Sequence, residues 1–439
     1  MKLKKILALC LALCLVFSLV ACGKKDKEKD GGKTPELPVW REFSTEATTE
    51  KTVLTAQNGC TVTIEPVSYA NEYVEMRVNF HNPTESEKVL ELEAIAINGM
   101  MLNVYMSVYA QPDEEAFDLL GASQDELRIK GIFEIATIDI LFTVTDEEAG
   151  QQEALSCQLK SSAQNVTETP DAYYNAITSQ EAQAELEYAI VNSNDERFAL
   201  GNDVYLESKI LLDQDFMLLE VVNEADTMRH GQISTDLVNG MYGTQVGESY
   251  TLFPGARAIY AIDLAWSLPK TMRLAFGMEK IASVNLFSEI YLCMGNGDID
   301  WESDGEYMSI RYLVPDTTET PDMTSGAVLY EEKGLKVIAK TPVQGVDPAE
   351  QDSTYVYLIF VNTGDSDLEI VQDSEKQILV NGDCEMVYFQ EPYYLFMDDS
   401  AICHVLVDKM SGSSVTIPLL ITAMEGGFGI WDVELTVPF

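Results

Sequence analysis

The sequence predicts an all-β chain, built as three tandem β-sandwich domains behind an export segment and a flexible tether. Three observations carry this reading. Apolar and polar residues alternate at period two along many short runs, as in strands with one buried and one wet face. A run that ends in Asn and leads on to an apolar-Asn-Gly turn occurs three times, with Asn98, Asn239 and Asn381 spaced 141 and 142 positions apart. Between the runs stand Asn, Gly, Pro and Thr, the residues of tight turns.

The elements follow in order. In the first copy Val74, Met76, Val78 and Phe80 alternate with Glu75, Arg77 and Asn79 before His81-Asn82-Pro83. Ile97-Asn98-Gly99-Met100 comes next, and Asn-Gly between apolar runs favours a type I′ hairpin because both central residues must accept positive φ. The second copy repeats this as Phe216 to Val222, Asn223-Glu224 and Val238-Asn239-Gly240-Met241. The third gives Tyr355 to Val361, Asn362-Thr363 and Val380-Asn381-Gly382. Ile129 and Ile132, Ile259 and Ile262, and Ile402 and Val405 then head similar strands. Each pair is followed by a further alternation: Ile138-Ile140-Phe142-Val144, Met272-Leu274-Phe276, and Val415-Ile417-Leu419-Ile421. Thr-Glu-Thr-Pro at 167–170 and 318–321 is linker chemistry, which sets the copies at 53–166, 171–305 and 322–439. The best helix candidate is Gln180 to Ile190 with Ser179 as N-cap; a strand through Leu186–Val191 competes with it.

At the N-terminus, Lys2, Lys4 and Lys5 precede an uncharged apolar run from Ile6 to Val20. A basic start and a run this short is the pattern of an export signal, below the roughly 20 residues that span a bilayer as a helix. The run ends in Leu19-Val20-Ala21-Cys22-Gly23, which resembles the lipobox of bacterial lipoproteins. The resemblance implies cleavage after residue 21 and a diacylglyceryl group on Cys22, holding the chain on the outer face of the cell membrane. Two acyl chains suffice for stable attachment where one is marginal. Residues 22–52, rich in charge, Gly, Pro and Thr, read as a flexible spacer, with Lys24, Lys25, Lys27, Lys29 and Lys33 close to the lipid head groups.

The whole chain carries 28 basic and 72 acidic residues, a formal charge of −44. Removing residues 1–21 takes away three lysines and no acid, so −44 becomes −47. That excess excludes nucleic acid as a partner, because phosphate binding needs clustered Lys and Arg. It also opposes docking flat onto anionic lipid or wall polymer. The expected partners are the membrane, through the lipid, and a protein or glycan ligand; no cofactor is called for.

The strand ending in Asn, the strand after it and the apolar-Asn-Gly turn together resemble the tandem immunoglobulin-like repeats of bacterial surface lipoproteins. In the third copy Gly326-Ala-Val-Leu-Tyr330 and Lys333-Gly-Leu-Lys-Val337 extend the likeness, and the second copy departs most by lacking that opening. The resemblance spans most of residues 53–439. It implies a non-catalytic surface module that binds, spaces or scaffolds. The alternative is a surface hydrolase on a cell-wall or glycan substrate.

Residues that would carry chemistry are few. His81, His230 and His404 have no partner at HxH or HExxH spacing, so no zinc site is read and each is assigned a structural or surface role. Ser267-Leu-Pro-Lys270 has the SxxK spacing of some penicillin-binding enzymes, but is expected in a hairpin between two strands, with no KTG after it. Asp298-Ile-Asp300-Trp-Glu302-Ser-Asp304-Gly305 would suit calcium by residue type, yet Arg311 stands where a bidentate Glu is needed; a solvated inter-domain linker is the favoured reading. Tyr388, Phe389, Tyr393, Tyr394 and Phe396, around Pro392, are either core or a stacking surface. Cys60, Cys157, Cys293, Cys384 and Cys403 contain no CxxC. Cys60–Cys157 or Cys384–Cys403 pairing and buried free thiols both remain open. No catalytic or metal-binding residue is assigned, and Cys22 is the one assigned site.

Overall fold

The computed structural model describes residues 39–146, 149–165, 171–346, 351–380, 383–384, 387–389, 393–397, 399–408, 414–424 and 430–438. The export segment 1–21, Cys22, residues 23–38 of the spacer, Thr-Glu-Thr-Pro at 167–170, Asn381-Gly382 and Pro392 lie outside them. The described chain is all-β, with short helices only at a few crossovers.

The first copy forms two sheets. One contains Thr52–Thr55, Thr61–Ile64, Tyr73–Asn82 and Glu114–Ser123, with Ser68–Ala70 also paired to Tyr73–Asn82. The other runs Gln151–Lys160, Thr137–Asp146, Lys88–Ile97, Met100–Met101. The predicted alternation sets the facing: Val74, Met76, Val78 and Phe80 are all buried, while Glu75, Arg77 and Asn79 keep contact with water. At the two described Asn-Gly pairs of the repeated motif both residues have positive φ: 51° and 78° at Asn98-Gly99, and 53° and 76° at Asn239-Gly240. These are the backbone values of the predicted I′ turn.

The second sheet does not stop at the end of the first copy. Met100 pairs in parallel with Arg257, and the Arg257 N–H donates to the Gly99 carbonyl at 2.7 Å. Through Arg257–Asp263 the sheet continues to Phe216–Asn223, Val204–Leu212 and Ile190–Asn194, ten strands in all. The core follows, since Ile210, Leu212, Phe216, Leu218 and Ile259 pack into the same cluster as Phe80, Ile95 and Phe142.

Contact density therefore groups the chain into two units that do not coincide with the three expected segments. One comprises the described parts of Met1–Ser234 with Gly247–Asp263 and Phe287–Ile310; the other comprises Thr235–Val246, Leu264–Leu286 and Arg311–Phe439. Within the latter, one sheet runs Ala327–Glu332, Leu335–Ala339, Ser353–Asn362, Ser400–Asp408, Val387–Phe389. Facing it, Ser414–Ala423 pairs with Leu368–Gln372, Leu379–Val380 and Ile430–Pro438 around a core that includes Val356, Leu358, Phe360, Val405, Ile417 and Leu435.

The Asn that closes the first strand of each motif is a buried clamp, and the same bonds recur in all three copies. Asn82 Nδ2 donates to the Ser86 and Ala110 carbonyls while Oδ1 accepts from Thr84 N–H. Asn223 repeats this with Thr227, Leu252 and Ala225, and Asn362 with Ser366, Leu395 and Gly364. The two described hairpin Asn residues are also used alike. Asn98 donates to Glu134 O and accepts from Ala136 and Thr137; Asn239 donates to Lys280 O and accepts from Ala282 and Ser283. One amide thus satisfies backbone groups that a turn would otherwise bury without partners.

Several expectations need correcting. Residues 39–49 are not spacer: Trp40, Phe43 and Ala47 are buried in the first core, and Thr49 bridges Ser161. Trp40 Nε1 donates to Glu185 at 2.6 Å, and the Arg128 guanidinium lies 4.4 Å over its ring while bonding Glu185 at 2.7 Å. Ile129 ends the helix Gln124–Ile129, and Met272 and Leu274 lie in the helix Lys270–Ala275 rather than in strands. Alternating apolar residues in so short a segment fit either structure, and here the chain crosses between sheets. The helix expected from Gln180 is present as Gln180–Leu186 with Ser179 capping Ala182 N–H, and the competing strand starts only at Ile190.

Candidate functional site

The acidic run is not an inter-domain linker. It forms the connection between Ser283–Leu292 and Glu306–Leu313, inside the second copy. Along the first of these strands Val284, Leu286, Ser288 and Ile290 turn inward, so Phe287, Glu289 and Tyr291 share the other face. Tyr307 follows Glu306 at the start of the second strand, and Trp301 projects from the turn.

These rings form a continuous row. Phe287 stacks on Tyr307 with centroids 6.0 Å apart and planes 24° from parallel. Tyr307 meets Tyr291 edge-on at 6.1 Å, and Tyr291 meets Trp301 at 5.4 Å. Trp301 is 74% exposed and Tyr307 56%. Rings this large normally bury most of their area, so a row left in water is the feature of this surface that calls for a ligand.

Local chemistry fixes the row. Gly305 sits under Tyr291, and a Cβ there would come within 2.5 Å of the ring. The Tyr291 hydroxyl donates to Glu289 at 2.9 Å and lies 3.2 Å from the Tyr307 hydroxyl. The bond to Tyr307, then burial and the Glu289 charge, push the Tyr291 pKa up, so its proton is kept throughout the physiological range. In the turn, Asp300 Oδ1 accepts from Glu302 N–H and the Ser303 hydroxyl donates to the Asp300 carbonyl. Gly297, at φ 93°, lets the turn lie against Leu141. Next to it, burial raises the Glu93 carboxyl pKa, and the Asp298 charge adds to the effect.

The other candidates are dispersed. Among the described residues no group of three or more His, Cys, Asp or Glu side chains is placed to hold a metal ion, the Asp298–Asp304 run included. Ser267 ends the helix Leu264–Ser267 rather than lying in a strand hairpin, and its hydroxyl donates to Thr235 at 3.2 Å in a buried setting. Lys270 is exposed on the next helix, so the SxxK spacing brings no base to a reachable hydroxyl. His81 is exposed, His230 lies 3.5 Å from the Thr251 hydroxyl, and His404 lies between the Tyr355 and Tyr357 rings at 6.0 and 5.9 Å. Of the third-copy aromatics Phe389 is core, while Tyr394 and Phe396 are exposed. Cys60, Cys157, Cys293 and Cys403 are free thiols, so Cys60–Cys157 pairing is not made. Burial pushes Cys157 and Cys293 up to about 11, away from the nucleophilic thiolate.

The sequence pointed to this segment through its carboxylates, with calcium in view, and missed the aromatic row. The available signal was Phe287 and Tyr291 at an even spacing on one strand face, together with Tyr307 across the hairpin.

No family model matches the chain, and no curated protein sequence matches it. Among solved structures, the exo-chitosanase CsxA of Amycolatopsis orientalis is similar at 7% identity, covering 88% of this chain and 79% of that one, with a TM-score of 0.16. Escherichia coli alpha-2-macroglobulin gives 6% identity over 88% and 35% with a TM-score of 0.17. The BSP domain of a biofilm-associated protein gives 8% over 95% and 99% with a TM-score of 0.13. Likeness this low carries no argument about function. Among the described residues no helix is long and apolar enough to cross a membrane.

Proposed function

We propose that this chain is a non-catalytic, lipid-anchored binding module on the outer face of a bacterial membrane, made of three immunoglobulin-like repeats of which the first two share a sheet. The ligand meets the row Phe287, Tyr307, Tyr291 and Trp301. The observation that carries the binding role is that row itself, four contacting rings with Trp301 and Tyr307 largely in water. Pairing of Ser283–Leu292 with Arg229–Val238 on one side and Glu306–Leu313 on the other supports a presenting role, since it keeps the strands beneath the site in fixed register.

Two measurements test this reading. Metabolic labelling with an alkynyl fatty acid should mark the wild-type chain and leave Cys22→Ala unmarked; equal labelling would remove the anchor. Affinity electrophoresis against immobilised wall glycans and peptides should show retardation that Trp301→Ala abolishes. Release of reducing sugar by the purified protein would replace this reading with a surface hydrolase.

A further inference from the structure

We propose that the aromatic row binds an extended basic polypeptide segment, with Lys or Arg side chains lying over Trp301 and Tyr307 and their charge met by Glu289, Glu302 and Asp304. This rests on the binding role given to the row above and adds the class of ligand.

Residues 287–310 hold six carboxylates (Glu289, Asp298, Asp300, Glu302, Asp304 and Glu306) and no Lys, Arg or His. None of the six forms an ion pair with a described residue. Arg229 is the cation whose field reaches Cys293 nearby, and it is buried and turned to the Asn202 and Met228 carbonyls.

Several rings elsewhere carry one of the chain's own cations, Arg77 on Phe117 at 3.6 Å, Arg197 on Tyr205 at 3.9 Å, Arg128 on Trp40 at 4.4 Å and Lys333 on Trp431 at 4.9 Å, and the exposed rings without one, such as Tyr105 and Tyr109, do not form a contacting row among carboxylates. No described cation covers Phe287, Tyr291, Trp301 or Tyr307. Ring faces attract cations, and unpaired carboxylates around them strengthen that preference. A neutral sugar would use the rings and leave the charge unmet.

Strand order separates a peptide from a small amine. Glu306–Leu313 is the last strand in its sheet, so one edge of it is left for an extended chain to pair with, while alternate side chains of that chain lie over the rings.

The test is fluorescence anisotropy of an alternating Lys–Thr peptide titrated with the protein in detergent, beside its Glu–Thr counterpart and a neutral glucan oligosaccharide. The Lys–Thr peptide should bind and the Glu–Thr peptide should not. Trp301→Ala should weaken binding about tenfold, the scale of a partly desolvated cation–π contact. Trp301 is mostly exposed, so its loss leaves the core intact, and the substitution leaves net charge unchanged. Generic attraction between a polyanion and a polycation would therefore survive it. Equal binding by wild type and Trp301→Ala overturns the proposal. Trp301-dependent binding of the oligosaccharide without the peptide overturns the ligand class and leaves the row as a binding surface. Trp301-dependent binding of neither removes both.

Discussion

Asn223 is the position at which one substitution reports most directly on how the repeat is built. Its side chain is fully buried and donates to the carbonyls of Thr227, Leu252 and Phe253 at 3.0, 3.1 and 3.0 Å, while accepting from Ala225 N–H at 3.0 Å. Asn223→Ala leaves that N–H and at least two carbonyls without a partner in a dry setting. Each loss costs about 1–3 kcal/mol, and because the loop can admit water at one of them, about 3–5 kcal/mol is expected in total. Asn223→Asp separates the two halves of the clamp. It keeps the acceptor for Ala225 but turns an oxygen toward three carbonyls, so the new carboxyl is raised above its unfolded pKa. Folding of that variant then gains stability as pH falls through the raised pKa, opposite to an ordinary surface acid. Hydrogen exchange of Phe216–Asn223 across pH 4 to 8 reads this locally, which suits a chain whose unfolding need not be two-state. A cost below about 1 kcal/mol for Asn223→Ala, or an Asn223→Asp variant that loses protection on acidification, would refute the clamp argument. Asn82→Ala and Asn362→Ala should act alike in their own copies.

Trp40→Ala should free residues 39–49 for limited proteolysis while Ser353–Asn362 stays protected, at a local cost of about 3–5 kcal/mol for the lost ring. An unchanged cleavage pattern would return those residues to the spacer. Burial holds the His404 pKa below its usual 6.5, so the unfolded chain takes up the proton first. Stability of that unit should fall as pH drops below about 6.5, and His404→Gln should flatten the part of the slope that comes from this residue. Arg257→Ala leaves Glu220, 3% exposed and bonded to Arg257 at 2.6 Å, as an unpaired buried carboxylate. We expect a loss of about 3–5 kcal/mol, largely recovered by adding Glu220→Leu. A double variant no better than the single one, in urea denaturation, would place the cost in the seam at Gly99 instead.

Much of the fold is legible in single residues. The alternation at Val74 to Phe80 fixes which face is buried because side chains on a strand point alternately to either side. Asn98-Gly99 and Asn239-Gly240 fix the hairpins because few other residues accept positive φ at both positions. Ser179 marks a helix start through its side-chain oxygen, a local interaction that needs no tertiary partner.

Strand facing, turn type, caps, the acidic balance and the positions of the repeated Asn residues depend on neighbours along the chain and can be read from it directly. Long-range packing is what places Trp40 in the core, continues the sheet of Met100 into Arg257, and joins Trp301 to Tyr291, Tyr307 and Phe287 in one exposed row. Each of these depends on pairs far apart in sequence. Local pattern says that a residue is apolar or aromatic. Which distant surface covers it, or leaves it to water, is settled only when the sheets come together.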